Sequence, residues 1–240
     1  YQRGRMLRAE EHFAGCVDRA RRHGALGLVL SYAPMLAATR AFCGRLHEAL
    51  REVEEITRTA SRTGEVRAEL LARDIEGSVS IYCADLVRAR QAGLRSLELA
   101  RQLGARRFEA ELMSIVGIAE AELGNPHEAD GMLRDATALA LEACPVYCGP
   151  WCLSAEALYG QDRDRAVSLL RYGEALLARG CVSHNYLEFY RHAIEFSLRG
   201  GDFVEAVRHA AALEAYTGGD PLPWAEVIIR RARLLGAARG

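Results

Sequence analysis

Leu123-Gly124-Asn125-Pro126-His127-Glu128-Ala129 is a tight turn leading into a helix, and its pattern, an alanine five residues after the turn position, recurs along the chain. Gly4 leads to Ala9, Gly44 to Ala49, Ala84 to Ala89, Gly124 to Ala129, Gln161 to Ala166 and Gly201 to Ala206, so the six alanines stand 40, 40, 40, 37 and 40 residues apart. A fixed period of this size marks a repeat array, in which each unit buries its apolar face by stacking on its neighbours. Such an array is a scaffold with a long surface for binding. The pattern does not say what is bound.

The turn has a physical logic. Asn125 can accept a hydrogen bond from a free N–H of the next helix, Pro126 sits where a first-turn N–H would be unpaired, and Glu128 completes a capping box, which Asp202 and Glu205 repeat near the end of the array. Gly124 ends the preceding helix. The alanine belongs on the buried side of the second helix, where a small side chain lets two helices approach. Ala49, Ala89, Ala129 and Ala206 are therefore expected contact points.

Helical periodicity extends outward from these turns. It predicts a lone helix over residues 5–22 with Leu7, Phe13, Cys16 and Val17 inward, then pairs at 27–43 with 46–64, 66–82 with 86–103, and 106–123 with 126–142. Pro34 should kink the first of these or delay its start. In the fourth unit, Cys144-Pro145-Val146-Tyr147-Cys148-Gly149-Pro150-Trp151-Cys152 carries two prolines and predicts a helix shortened to 150–159, paired with 163–179. The last pair is 183–199 with 203–216, and a final helix over 223–237 follows Gly218-Gly219-Asp220-Pro221-Leu222-Pro223-Trp224. No stretch alternates with period two, so no strand is expected.

Composition narrows the function classes. Half of the 240 residues are hydrophobic, aromatics are few, and the formal net charge is −1, which gives no electrostatic reason to expect nucleic acid or an anionic membrane as partner. All 31 basic residues are arginine, the mark of a GC-rich coding bias, and no lysine nucleophile or Schiff base is available. The longest apolar run, 25–38, is too short to cross a bilayer, and no signal peptide is present. Seven cysteines without a secretory signal point to free thiols in a reducing cytoplasm. Residues 1–240 read as one repeat domain, and a first residue Tyr1 suggests a fragment of a longer chain.

Seven residues before each turn position stand Ala37, Gly77, Gly117 and Ser154, all small, with Ile194 as the exception. Together with the turns and the second-helix alanines, this resembles the tetratricopeptide repeat, although the unit of about 40 residues is longer than the usual ~34 and most of the family's aromatic and proline positions are missing. The resemblance implies an all-α fold, a right-handed superhelix of antiparallel helix pairs. An array ending in Pro-Leu-Pro-Trp at 221–224 is also similar to the C-terminal arms of large bacterial signalling ATPases, among them LuxR-type regulators and ATPase-coupled nucleotide cyclases. That likeness implies a cytoplasmic sensor or interaction arm in signal transduction or transcription regulation.

Candidate sites follow from residue types and from that geometry. Cys144, Cys148 and Cys152, with Cys181 and His184 on the next first helix, are ligand types zinc would use, but their spacing is not that of a turn-borne cysteine pair and two prolines interrupt the run. Buried free thiols are the simpler reading. A redox pair is disfavoured because three residues rather than two separate the thiols. No metalloprotease, phosphate-loop or nucleophile-elbow motif occurs, and no cofactor is expected. In tetratricopeptide arrays the first helices line the concave face, which implies a groove made by Asp74, Ser78 and Tyr82, by Glu111 and Ser114, by Trp151 and Tyr159, and by Glu188, Arg191, Glu195 and Arg199.

Trp151 and Tyr82 would be its anchors. A recess where Trp151 is flanked by Tyr159 and Arg191 would suit a planar or anionic ligand or an acidic peptide, whereas an interior Trp151 would only fill the gap in the broken repeat. The leading expectation is a non-enzymatic arm that binds a protein, peptide or small-molecule effector. The alternatives are a structural module that forms homo-oligomers through its terminal helices, one of which lacks its array neighbour, and an enzyme using the cysteines or the acidic groove residues.

Overall fold

Gly124 reverses the chain at φ +89°, and helices flank it on both sides. The same turn geometry recurs through the structure, a computed structural model that describes residues 4–238. The twelve helices there are α1 Met6–Arg22, α2 Leu26–Phe42, α3 Leu46–Thr63, α4 Val66–Tyr82, α5 Leu86–Gln102, α6 Arg106–Glu122, α7 Pro126–Ala143, α8 Pro145–Tyr159, α9 Arg163–Ala178, α10 Ser183–Arg199, α11 Phe203–Thr217 and α12 Pro223–Ala237. No strand occurs among the described residues, and none of these helices is long and apolar enough to cross a membrane. Tyr1 lies outside the described residues.

The pairing rests on the small residues. Ala9, Ala49, Ala89, Ala129, Ala166 and Ala206 are all buried. A Cβ on Gly117 would stand 2.7 Å from Leu133 Cγ and 3.5 Å from the Ala129 carbonyl oxygen, and one on Gly77 would stand 3.5 Å from that of Ala89. Backbones at these crossings are thus as close as glycine allows. At Ala84 the turn takes a left-handed φ of +58° without a glycine, the only such residue among those described. A left-handed L-residue is disfavoured by ~1–2 kcal/mol, partly offset by glycine's greater freedom in the unfolded chain. Ala84→Gly is therefore expected to stabilise the protein by about 0.5–1 kcal/mol, seen as a higher denaturant midpoint at unchanged slope.

Consecutive helices pack on one another, and each even-numbered helix from α2 to α10 also packs on the next even one, whereas odd-numbered helices stand further apart and meet through long side chains, as where Arg88 of α5 pairs with Glu54 of α3 and Arg208 of α11 with Glu174 of α9. The even helices therefore form a continuous inner layer. The odd ones form an outer layer. The rhythm changes at α10, which packs far more on α8 than on α9.

The two ends of the chain also meet. Asp220 accepts a hydrogen bond from the Leu7 N–H at 2.9 Å, the Trp224 indole donates to the Phe42 carbonyl at 2.8 Å, and Met6 is buried with Leu213 and Leu222. The inner side of α1 is thus partly covered by the chain's own last helices.

Several local expectations are corrected. In α1 the buried residues are Met6, Ala9, Val17 and Ala20, while Leu7 and Cys16 are exposed. α2 runs through Pro34 without a break or a late start. Asn125 makes no side-chain cap, its amide donating to Glu120 at 2.6 Å instead, whereas Asp202 does cap α11 by accepting from the Glu205 N–H at 3.0 Å.

The largest correction is α8, which begins at Pro145, in step with α6 one period earlier, and loses its residues at the C-terminal end. Pro145 occupies the first turn, where no N–H is needed. Pro150 leaves the Val146 carbonyl without its helical donor, and the Val182 N–H supplies one at 3.1 Å.

Candidate ligand-binding cavity

The inner layer lines a partly open cavity of about 610 Å³. Residues one period apart line it in rows: Ser31, Leu71, Glu111 and Trp151 in one, Gly27, Arg67, Arg107 and Tyr147 in another. The repeat that sets the fold therefore also sets the wall. Of the residues expected to form a groove, Asp74, Ser78, Tyr82, Glu111, Trp151 and Glu188 line this cavity, and α10 adds His184. Sequence reasoning missed the wall supplied by α2, although Ala38 and Phe42 stand one period before Ser78 and Tyr82.

Two carboxyl groups dominate the interior. Asp74 is 7% exposed and Glu111 8%, and each keeps one buried oxygen, Oδ1 and Oε2, without a hydrogen-bond partner. Tyr147 hydrogen-bonds the Glu111 carboxyl. Burial pushes Asp74 up to about 7, and burial together with the neighbouring Asp74 charge pushes Glu111 well above the carboxylate range. Arg67 and Arg107 line the cavity but are exposed at the start of their helices, and among the described residues no arginine forms an ion pair with either carboxyl. Burial lowers His184 to about 4, so its ring is neutral near pH 7.

Since the folded value of Asp74 lies above its unfolded value of about 4, the stability this group contributes is complete below about pH 4 and is lost as pH rises through about 7. Asp74→Asn should consequently raise the melting temperature by roughly 2–4 °C at pH 8, equivalent to about 1 kcal/mol, and by less at pH 5. Differential scanning calorimetry of the two proteins at both pH values checks this. The His184 contribution is common to both.

A polar bridge joins α4 to α10 beside the cavity. Tyr82 donates its hydroxyl proton to Glu188, whose other oxygen accepts from Arg191 Nη2 at 2.9 Å, and the Arg191 guanidinium lies 4.7 Å from the centre of the Tyr82 ring. Arg191 is thus already engaged and does not line the cavity, so the expected recess of Trp151, Tyr159 and Arg191 is not formed. Tyr159 instead meets the His192 ring edge-on at 5.9 Å, with Arg199 5.7 Å away. Glu195 pairs with Arg199 and Arg231, and Arg199 with Glu122, outside the cavity. Ser114 is fully buried between α6 and α8, where it donates to Cys152 Sγ at 3.3 Å.

The intact α8 does place the three thiols in a row, with Cys144 Sγ 3.4 Å from Cys148 Sγ. His184 turns away to stack edge-on with Tyr147 and Trp151, and Cys181 donates to the Leu176 carbonyl. Among the described residues no group of three or more His, Cys, Asp or Glu is arranged to hold a metal ion.

Trp151 is both wall and core. It is 5% exposed, it packs in a cluster with Leu70, Leu112 and Met113, and its indole N–H has no partner. No protein-family model and no curated protein matches the chain.

Proposed function

We propose that the chain is a non-catalytic binding scaffold, a tetratricopeptide-like right-handed superhelix whose inner layer of helices holds a small-molecule effector or a peptide side chain. The observation that carries this reading is the cavity lined by equivalent positions of successive repeats. Its volume falls within the ~300–1,000 Å³ of small-molecule sites, and it combines aromatic walls with a few inward polar groups, as such sites do. The sequence likeness to the arms of bacterial signalling ATPases supports a cytoplasmic sensor arm in signal transduction or transcription regulation, coupled to domains that act on the result.

The test is a thermal-shift screen with a chemically mixed set of small cations, anions and neutral molecules, repeated on Ser78→Phe. Ser78 is a half-buried lining residue, and the larger ring would fill the space. Hits that stabilise the wild type and fail on the variant support the reading. Equal shifts on both proteins, or no hit, oppose it.

A second reading, a module that also forms homo-oligomers through a terminal helix, is favoured by α12, where Val227 and Leu234 are 66% and 71% exposed and two turns apart on one face.

A further inference from the structure

Three residues that line the cavity carry unpartnered buried atoms, and these specify a chemistry. Asp74 Oδ1 and Glu111 Oε2 are acceptors, both in side chains more than nine-tenths buried and both without a donor. Trp151 Nε1 is a donor in the same condition. Buried polar groups are nearly always paired, so three unpaired ones on residues that line one cavity point to a guest that reaches them. Two acidic groups held close together without an arginine between them destabilise an empty interior and favour a positive guest.

The surroundings agree. Trp151, Tyr147, Phe108 and Tyr82 all line the cavity, and three of these rings already carry a guanidinium, that of Arg107 4.7 Å from the Phe108 centre and 5.0 Å from the Tyr147 centre, and that of Arg191 4.7 Å from the Tyr82 centre, so the walls are of a kind that takes positive groups. An anion would have to approach Asp74 and Glu111, and the one deep guanidinium nearby, that of Arg191, is already taken by Glu188 and Tyr82.

Resting on the reading of the cavity as a binding site, we propose that its ligand is a small organic cation. Its ammonium or amidinium group sits at Asp74 and Glu111, and its apolar body lies against the Trp151 ring.

Three probes of one shape separate the charge states: phenethylamine, 2-phenylethanol and phenylacetate. Isothermal titration calorimetry on the full chain at pH 8 should show the amine binding at least tenfold more tightly than the alcohol, with the acid weakest. The double variant Asp74→Asn/Glu111→Gln should lose this preference and still bind 2-phenylethanol, which also reports that the cavity is intact. A preference for the amine that survives in the double variant overturns the inference, as does phenylacetate binding equal to or tighter than the amine. Binding of the alcohol or the acid alone, blocked by Ser78→Phe, overturns the inference and leaves the cavity reading standing. Binding of none of the three overturns both.

Discussion

Trp151→Ala is expected to lower stability by about 3–5 kcal/mol, the usual result of deleting a buried indole. The side chain is 5% exposed, it packs with Leu70, Leu112 and Met113, and the His184 ring stands edge-on at 6.0 Å. Its removal would open the cavity into the core between α6 and α8. Chemical denaturation gives the difference directly, as a fall in the midpoint at unchanged slope. A variant within about 1 kcal/mol of wild type would mean that the indole is a groove side chain with little packing, contrary to its position here. For binding studies the milder Trp151→Phe is the better variant, because it keeps an aromatic wall while removing the indole N–H.

Ala129→Leu should cost about 1–3 kcal/mol by overpacking. Ala129 has no exposed surface and lies among Ile118, Leu133 and Ala155, and its carbonyl is within 3.5 Å of where a Cβ on Gly117 would sit. A leucine has no free volume to enter without pushing α6 and α7 apart. A leucine six residues along the helix, in place of the exposed Asp135, should be nearly neutral, which separates overpacking from any general effect of leucine. Equal melting of Ala129→Leu and wild type would contradict the repeat register.

Much of the fold was legible because the informative residues are local. Turn residues at a fixed period end one helix and start the next, and the bounds of α4, α10 and α12 coincide with those read from periodicity. The start of α8 was not legible. Proline reads as a breaker, and the donor that replaces its missing N–H comes from Val182, a contact made only once α10 has packed on α8. Asn125 shows the same limit on a smaller scale, since Glu120 competes for its side chain.

The site was legible in part for a similar reason. Counting from each turn found Asp74, Ser78, Tyr82, Glu111, Trp151 and Glu188, because helix phase is a local property. It misplaced Arg191, whose partners Glu188 and Tyr82 lie on α10 and α4, helices far apart in the sequence. That single pairing changes the expected ligand from an anion to a cation. The packing of distant helices also brings Leu7 to Asp220, a contact that no short stretch of sequence announces.

The most direct test of the cavity as a binding site uses its own indole. The chain has two tryptophans, and Trp224 lies at the meeting of the chain ends, so in Trp224→Phe all indole emission comes from Trp151. Titrating that variant with phenethylamine should change the Trp151 emission saturably, with a midpoint equal to the calorimetric one. A calorimetric binding curve with no accompanying change in Trp151 emission would place the ligand elsewhere and contradict the assignment of the cavity.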